Sequence, residues 1–246
     1  MIFVLGDGVG EDDAARALGS GLRDQGETVV LGALDPRAVG NGDTQSPGDG
    51  PATMACAATS GDDVADVLAR AEGAHGPLHA VVLVSAGREA TVAGDLAGLG
   101  PAQWRQRVEV PLERTLACFQ GAYRRLRGRG GSLMVLVPTL ALVGSSGFAP
   151  WSAVAEGQRS LAKAAARAWG REGITVACVA VPGALLVPGV ATGTAGPDRR
   201  GQPEPALASP DLRGAVAPVV ASLVSDRWRA VTGATVAVDG GVWMTP

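Results

Sequence analysis

The chain has 246 residues, of which 46% are hydrophobic and 18% are charged, a composition typical of a folded domain that is long enough to bury a core. The net charge of −3 argues against a nucleic-acid-binding protein, which is normally basic. No run of apolar residues approaches the roughly 20 that a membrane span needs, and the first residues lack the basic segment of a signal peptide. A cytoplasmic protein is therefore expected, with Cys56, Cys118 and Cys178 reduced because no two of them form a C-x-x-C pair.

Short apolar segments alternate with longer segments of helical period along the chain. Strands are predicted at 2–6, 28–32, 53–58, 79–85, 132–138, 174–181 and 234–238, and helices at 12–25, 62–73, 101–127, 151–170 and 210–225. This alternation is typical of βαβ units, and the nearly continuous Val, Leu, Ile and Ala content of the strands indicates burial on both faces. We predict one α/β domain over residues 1–246, with a doubly wound, parallel, seven-stranded sheet flanked by helices.

Two segments rich in Gly, Pro and polar residues fit neither pattern. They cover residues 35–51 and 183–210. The second follows a predicted strand directly, on the side where open α/β sheets bind ligands. It is therefore interpreted either as a lid over a site or as a mobile linker.

Four segments resemble motifs of the short-chain dehydrogenase/reductase (SDR) family. They are TGATVAVDGG at 232–241, the run from Gly131 to Gly157, GPLHAVVLVSAG at 76–87 and VAVPG at 179–183. The chain is similar to the family over essentially its whole length, and most similar to the 3-ketoacyl-(acyl-carrier-protein) reductases. The resemblance implies a Rossmann-like fold.

The resemblance also locates the family's catalytic positions. In the family a Tyr acts as general acid with its pKa lowered by a Lys, a Ser holds the substrate carbonyl, and an Asn supports a water relay. In this chain the Asn, Ser, Tyr and Lys positions are occupied by Pro111, Pro138, Trp151 and Ala155. The single Tyr and the single Lys, Tyr123 and Lys163, cannot form a Y-x-x-x-K motif. We therefore predict that the conventional ketoreductase mechanism does not operate.

The segment that would bind the dinucleotide is altered as well. Glycines remain at Gly6, Gly8 and Gly10, but the next helix opens with Glu11, Asp12 and Asp13. These carboxylates suit a helix N-terminus and disfavour a pyrophosphate, which the family binds there. No cofactor is predicted, and NAD(P)H binding is disfavoured. The alternatives are a site retuned for a neutral or cationic ligand, and residual dinucleotide binding.

Two other changes concern the same site. The family's N-N-A-G segment has become Val84-Ser85-Ala86-Gly87, which lacks both bracing amides, and the acid expected after the second strand is displaced to Asp35. The residues expected to line a remaining pocket are Ser85, Thr139, Ser145, Phe148 and Trp151. No metal site is predicted, and His75 and His79 are interpreted as surface or packing residues.

Possible partners follow from the helices. The helices near 101–127 and 151–170 resemble the family's dimer-forming helices, so self-association or pairing with a catalytic SDR subunit is expected. Arg129 and Arg171 match a basic edge that receives an acyl carrier protein in the ketoacyl reductases, although helix-terminal cations have the same pattern.

Three functions follow from these observations. The first is a non-catalytic subunit or scaffold that pairs with an active ketoreductase in acyl or polyketide-type metabolism. The second is a cofactor-independent cyclase, dehydratase or isomerase that acts on a polyketide-like substrate held in a retained pocket. The third is an NAD(P)H-dependent oxidoreductase with a relocated proton donor.

Overall fold

A single parallel sheet runs through the part of the protein that the structure describes. The structure is a computed structural model and describes residues 1–8, 13–34, 50–187 and 205–244. The strands are β1 (Ile2–Gly6), β2 (Val29–Ala33), β3 (Ala52–Ala55), β4 (Ala80–Val84), β5 (Gly131–Pro138), β6 (Ile174–Val181) and β7 (Thr235–Ala237). They lie in the order β3-β2-β1-β4-β5-β6-β7, and every neighbouring pair is parallel. The predicted seven-stranded Rossmann-like sheet is therefore confirmed.

Helices cover both faces of this sheet. They are α1 (Ala14–Asp24), α2 (Gly61–His75), α3 (Pro101–Trp104), α4 (Val110–Leu126), α5 (Leu140–Val143), α6 (Ala149–Trp169), α7 (Gly183–Leu186) and α8 (Ala217–Val224). The five predicted helices are found close to their predicted positions, whereas the short helices α5 and α7 were not predicted. Each of these two contains four residues, which is too short to produce a periodic pattern.

The helix predicted over 101–127 contains a π-helical segment. Arg105–Glu109 forms a wide turn between α3 and α4, and Pro111 follows it in the first turn of α4. Proline has no N–H to donate to the carbonyl four residues earlier, and its ring crowds that carbonyl. A wide turn just before Pro111 accommodates both effects, and π-bulges of this kind occur often at functional sites.

The core forms one layer on each face of the sheet. On one face, side chains of β1, β4, β5 and β6 pack against α2, α4 and α6. On the other face, the alternate residues of the strands pack against α1 and α8. Every residue of β1, β4, β5 and β6 is buried, as expected for strands covered on both sides.

None of the described helices is both long and apolar enough to cross a membrane.

The C-terminal motif forms a tight turn around a buried carboxylate. Asp239 is 2% exposed, and its two oxygens accept hydrogen bonds from the backbone N–H groups of Gly241, Val242 and Trp243 at 2.9, 3.2 and 3.0 Å. The turn needs left-handed backbone at Gly240 and Gly241, where φ is +72° and +83°, and glycine adopts this conformation without strain.

Candidate functional site

Several predicted site segments meet at the carboxyl edge of the sheet. In a parallel sheet all strands end on the same side, and ligands bind there in open α/β folds. The register pairs Gly6 with Val84 and Pro138 with Val181. Consequently the turn after β1, the loop after β4 and the ends of β5 and β6 lie side by side.

Asp7 connects two of these segments. Its carboxylate accepts hydrogen bonds from Ser85 Oγ at 2.6 Å and from the backbone N–H groups of Ala86 and Gly87, both at 2.9 Å. The loop after β4 lacks the two amides that the family has there, and Asp7, directly after β1, braces it instead. Sequence reasoning missed Asp7, and the available signal was an acidic residue directly after β1 inside a glycine-rich turn.

A buried amide continues this network to α4 and α6. Gln158, which is 2% exposed, donates from Nε2 to the Ser85 carbonyl and to Thr115 Oγ1, both at 3.1 Å. Thr115 in turn donates to the Pro111 carbonyl at 2.9 Å. A Cβ on Gly87 would lie 2.7 Å from the Pro111 ring, so the loop after β4 packs directly against the helix that carries Pro111.

The family's remaining catalytic positions are buried around this network. Pro138 ends β5, Trp151 in α6 is 1% exposed, and Ala155 in the next turn is fully buried. The Phe148 and Trp151 rings make an edge contact with centroids 6.1 Å apart. The structure therefore packs Trp151 and Phe148 into one buried cluster, whereas Ala155 belongs to the main core under α2, α4 and α6.

Thr139, which follows Pro138 directly, is 2% exposed. Its backbone N–H donates to the Val181 carbonyl at 2.8 Å, which holds the residue at the end of β5 and β6. Ser145 is partly buried, and its carbonyl accepts from the Phe148 N–H at 3.3 Å. All five predicted pocket residues thus lie at or near the carboxyl edge.

Tyr123 and Lys163 lie away from this edge. Tyr123 is near the end of α4, where its hydroxyl donates to Glu172 at 2.9 Å and its ring stacks on Trp169. Lys163 is exposed on α6. Neither side chain can take the place of the family's Tyr or Lys.

The described start of the turn after β1, Gly6 to Gly8, lies close to α1 and to the loop after β4. A Cβ on Gly6 would lie 2.4 Å from the Ala15 Cβ, so glycine lets α1 approach β1 closely. A Cβ on Gly8 would lie 2.5 Å from an Asp13 carboxylate oxygen and 3.2 Å from Arg88 Nη2. Side chains of opposite charge therefore meet over Gly8.

The described residues of this turn suit a pyrophosphate at the Arg88 guanidinium and the α1 N-terminus, whereas the Asp13 carboxylate opposes it. Asp13 precedes α1 as its N-cap residue, but its carboxylate makes no capping hydrogen bond and lies over Gly8 instead. The α1 N-terminus attracts a pyrophosphate, and Arg88 brings a guanidinium to the same turn. The other predicted residues of this turn, Gly10, Glu11 and Asp12, lie outside the described residues, as do Asp35 and the central part of the 183–210 segment.

The predicted carrier-protein residues lie at the opposite edge of the sheet. Arg129 precedes β5 and donates to Glu72 at 2.8 Å, while Arg171 is exposed in the turn before β6. Docking of a carrier protein at Arg129 and Arg171 stays a prediction.

The cysteines are free and buried, and burial raises the pKa of the Cys56 thiol to about 11, so this thiol is protonated at neutral pH.

Comparisons with known proteins place this geometry in a family. A family model described as enoyl-(acyl carrier protein) reductase matches residues 8–243. A short-chain dehydrogenase/reductase structure from Brucella melitensis superposes with a TM-score of 0.72, at 24% identity, over 99% of this chain and 97% of that one. The chain belongs to the SDR family.

Two SDR relatives carry names that state a reaction. The cis-4-hydroxycyclohexanecarboxylate dehydrogenase of Sinomonas cyclohexanicum is 32% identical over 97% of this chain and 85% of its own length. A 3-oxoacyl-[acyl-carrier-protein] reductase of Staphylococcus aureus is 32% identical over 58% of each chain.

These findings contradict the functional part of the sequence analysis. The relatives are named dehydrogenases and reductases, so the predictions of a non-catalytic subunit or scaffold and of a cofactor-independent cyclase, dehydratase or isomerase are wrong. The prediction that the protein is not a conventional NAD(P)H-dependent ketoreductase is contradicted by the same names. The prediction that NAD(P)H does not bind is wrong for the same reason. The functional predictions equated loss of a proton donor with loss of hydride transfer, and the cofactor prediction rested on the carboxylates of Glu11, Asp12 and Asp13. In the family, the Tyr and Lys at the positions of Trp151 and Ala155 transfer the proton. The dinucleotide is bound mainly by the backbone of the fold.

Proposed function

We propose that this protein is a nicotinamide-dinucleotide-dependent oxidoreductase that interconverts a secondary alcohol and a ketone. The observation that carries the proposal is its 32% identity to a hydroxycyclohexanecarboxylate dehydrogenase over 97% of the chain. The substrate class we propose is accordingly a small ring that bears a carboxylate and a hydroxyl or oxo group.

The carboxyl edge of the sheet offers groups that would bind the dinucleotide. The turn at Gly6–Gly8, the N-terminus of α1 and the Arg88 guanidinium would hold the pyrophosphate. When bound, the dinucleotide supplies or accepts the hydride. The Asp7 and Gln158 hydrogen bonds keep the loop after β4 in place beside it.

The residues at the family's Tyr and Lys positions leave the proton to another group. Trp151 has an indole N–H that does not dissociate near neutral pH, and Ala155 has no polar group. We propose that the substrate oxygen exchanges its proton with water. The rate of alcohol oxidation should then rise with pH by about tenfold per unit, without the plateau that a titrating tyrosine produces.

Dinucleotide binding is the first test. The purified protein is titrated with NADH and NADPH while nicotinamide fluorescence and thermal unfolding are followed, with ADP-ribose as a control that keeps the pyrophosphate and lacks nicotinamide. A Kd of about 100 µM stabilises the protein by about 1.4 kcal/mol at a tenfold ligand excess, which raises the Tm by roughly 3–6 °C. If neither dinucleotide binds at millimolar concentration, the proposal fails.

Turnover is the second test. Oxidation of cis-4-hydroxycyclohexanecarboxylate with NAD⁺ and NADP⁺, and reduction of 4-oxocyclohexanecarboxylate, are followed at the absorbance of the reduced nicotinamide between neutral and alkaline pH. A 3-oxoacyl thioester is run in parallel, because the second relative is named for that substrate. Turnover of the ring compound supports the proposed substrate class. Turnover of the thioester alone moves the protein to acyl reduction and overturns the proposed ring substrate.

A further inference from the structure

Two buried hydrogen-bond donors lie at the carboxyl edge without a partner. Among the described residues, nothing accepts from Trp151 Nε1 or bonds to Thr139 Oγ1, although the two residues are 1% and 2% exposed. Nearly all buried polar groups in folded proteins are hydrogen-bonded, and each exception calls for an explanation. Ser152 Oγ, beside Trp151 in the first turn of α6, is a third unpartnered atom.

These groups belong to one small region. Thr139 follows β5 and immediately precedes α5, which packs against α6. Leu140, next to Thr139, belongs to the same buried cluster as Phe148 and Trp151. The two donors therefore come from adjacent elements that the packing of α5 against α6 holds together.

The chemistry of the two groups selects the ligand atom. An indole N–H can only donate, and a threonine hydroxyl can rotate to donate. A pair of donors suits an oxygen that carries lone pairs and gains negative charge, such as a carbonyl oxygen under hydride attack. The positions agree with this role, because Trp151 and Thr139 lie at and next to the positions where the family has its Tyr and Ser.

We propose that Trp151 Nε1 and Thr139 Oγ1 donate hydrogen bonds to the oxygen of the substrate carbonyl. This inference rests on the proposed function. As hydride adds to the carbonyl carbon, the π electrons move to the oxygen, the two donors stabilise the charge, and water supplies the proton. Trp151 would thus donate a hydrogen bond, as a tyrosine hydroxyl does, but it has no proton that dissociates near neutral pH.

Entry of the substrate requires a local movement. Leu186 at the end of α7 and Val187 after it pack against the cluster that contains Trp151, and both are only partly buried. Their displacement would open the donors to a ligand from the carboxyl edge. Bulky ring substrates should therefore depend more on these two side chains than small ketones do.

The test removes each donor while keeping its shape. W151F keeps an aromatic ring without the N–H, and T139V replaces the hydroxyl with a methyl group. T139S restores the hydroxyl, and W169F makes the same Trp-to-Phe change at the far end of α6, where Trp169 contacts Phe119 and Tyr123. Circular dichroism and thermal unfolding establish that each variant is folded, and T139V should melt at or above the wild-type temperature because it removes an unpaired buried hydroxyl.

The decisive readout is the infrared carbonyl band of bound 4-oxocyclohexanecarboxylate. Two donors should shift the band of the wild-type complex to lower wavenumber, and the shift should shrink in W151F and T139V but persist in T139S and W169F. The kcat for ketone reduction should fall by roughly 100-fold in W151F and T139V, as when one oxyanion donor is removed from other enzymes. No carbonyl shift in the wild type, or wild-type kcat in both donor variants, overturns the proposal.

The same measurements separate this inference from the proposed function. If the wild-type protein shifts the carbonyl band but binds no dinucleotide, the donor pair stands and the oxidoreductase proposal fails. If the wild-type protein reduces the ketone and the donor variants do so equally well, the oxidoreductase stands and the donor pair fails. Dinucleotide affinity should be the same in all four variants, because neither donor lies in the turn at Gly6–Gly8.

Discussion

Replacement of Asp7 by alanine should loosen the carboxyl edge of the sheet. The Asp7 carboxylate accepts three hydrogen bonds from the loop after β4, one from Ser85 Oγ and two from backbone N–H groups. In D7A these donors lose their partner, and a hydrogen bond to an ionised group contributes about 1.5–3 kcal/mol. Because the site is only partly buried and water can replace some of the bonds, we expect a loss of about 3 kcal/mol in the free energy of unfolding.

The assay is urea unfolding of D7A, D7N and the wild type, followed by circular dichroism. A loss of about 3 kcal/mol corresponds to a Tm lowered by roughly 6–12 °C in a domain of this size. D7N should fall between the two, because one amide oxygen remains to accept while the amide nitrogen faces other donors. The control is D95A, since Asp95 is exposed and accepts from the Ala97 N–H at 3.1 Å within its own loop.

The NADH affinity of D7A shows whether Asp7 also positions the dinucleotide site or only stabilises the fold. The loop that Asp7 holds also carries Arg88, so D7A should weaken NADH binding even at temperatures where it is fully folded. A D7A protein within about 0.5 kcal/mol of the wild type, with unchanged NADH affinity, would refute the reasoning. It would mean that the packing of Gly87 against Pro111 holds the loop without the carboxylate.

Three further changes test other parts of the structure. R88A should weaken NADH binding by about tenfold and make it less sensitive to salt, because a guanidinium contact to a pyrophosphate is lost; unchanged affinity by fluorescence titration would remove Arg88 from the site. Burial alone raises the pKa of Glu72, but hydrogen bonds from Arg129, the Leu78 N–H and Arg125 lower it to about 2. Since the folded-state pKa is depressed, the stability advantage of the wild type over E72Q should be complete above the ordinary value of 4.5 and should decline as the pH falls towards 2; a difference that does not change with pH would contradict this assignment. Q158L should lower the free energy of unfolding by about 1–3 kcal/mol, because Gln158 makes two buried hydrogen bonds; a loss below about 0.5 kcal/mol in urea unfolding would show that the amide is dispensable.

The sequence by itself determined the architecture of the protein. The alternation of apolar strands and periodic helices predicted the seven strands and five longer helices of the described residues, because burial on one or both faces imposes its period on local sequence. The motif at 232–241 resembles the family's C-terminal motif, and the same resemblance placed Trp151 and Ala155 at the Tyr and Lys positions. The step from these residues to an inactive protein was wrong, since side chains that move a proton are separate from the backbone that holds a dinucleotide.

Only the tertiary structure decided how the site is assembled. Asp7 meets Ser85 across 78 positions of sequence, Arg88 reaches Gly8, and Gln158 joins β4 to α4. Such contacts have no periodic signature, because they depend on which strand ends lie side by side and on how helices pack across them. The unpartnered donors of the buried Trp151 and Thr139 likewise have no signature in the sequence. The sequence shows which groups can donate a hydrogen bond, and only the packing shows which of them lack an acceptor.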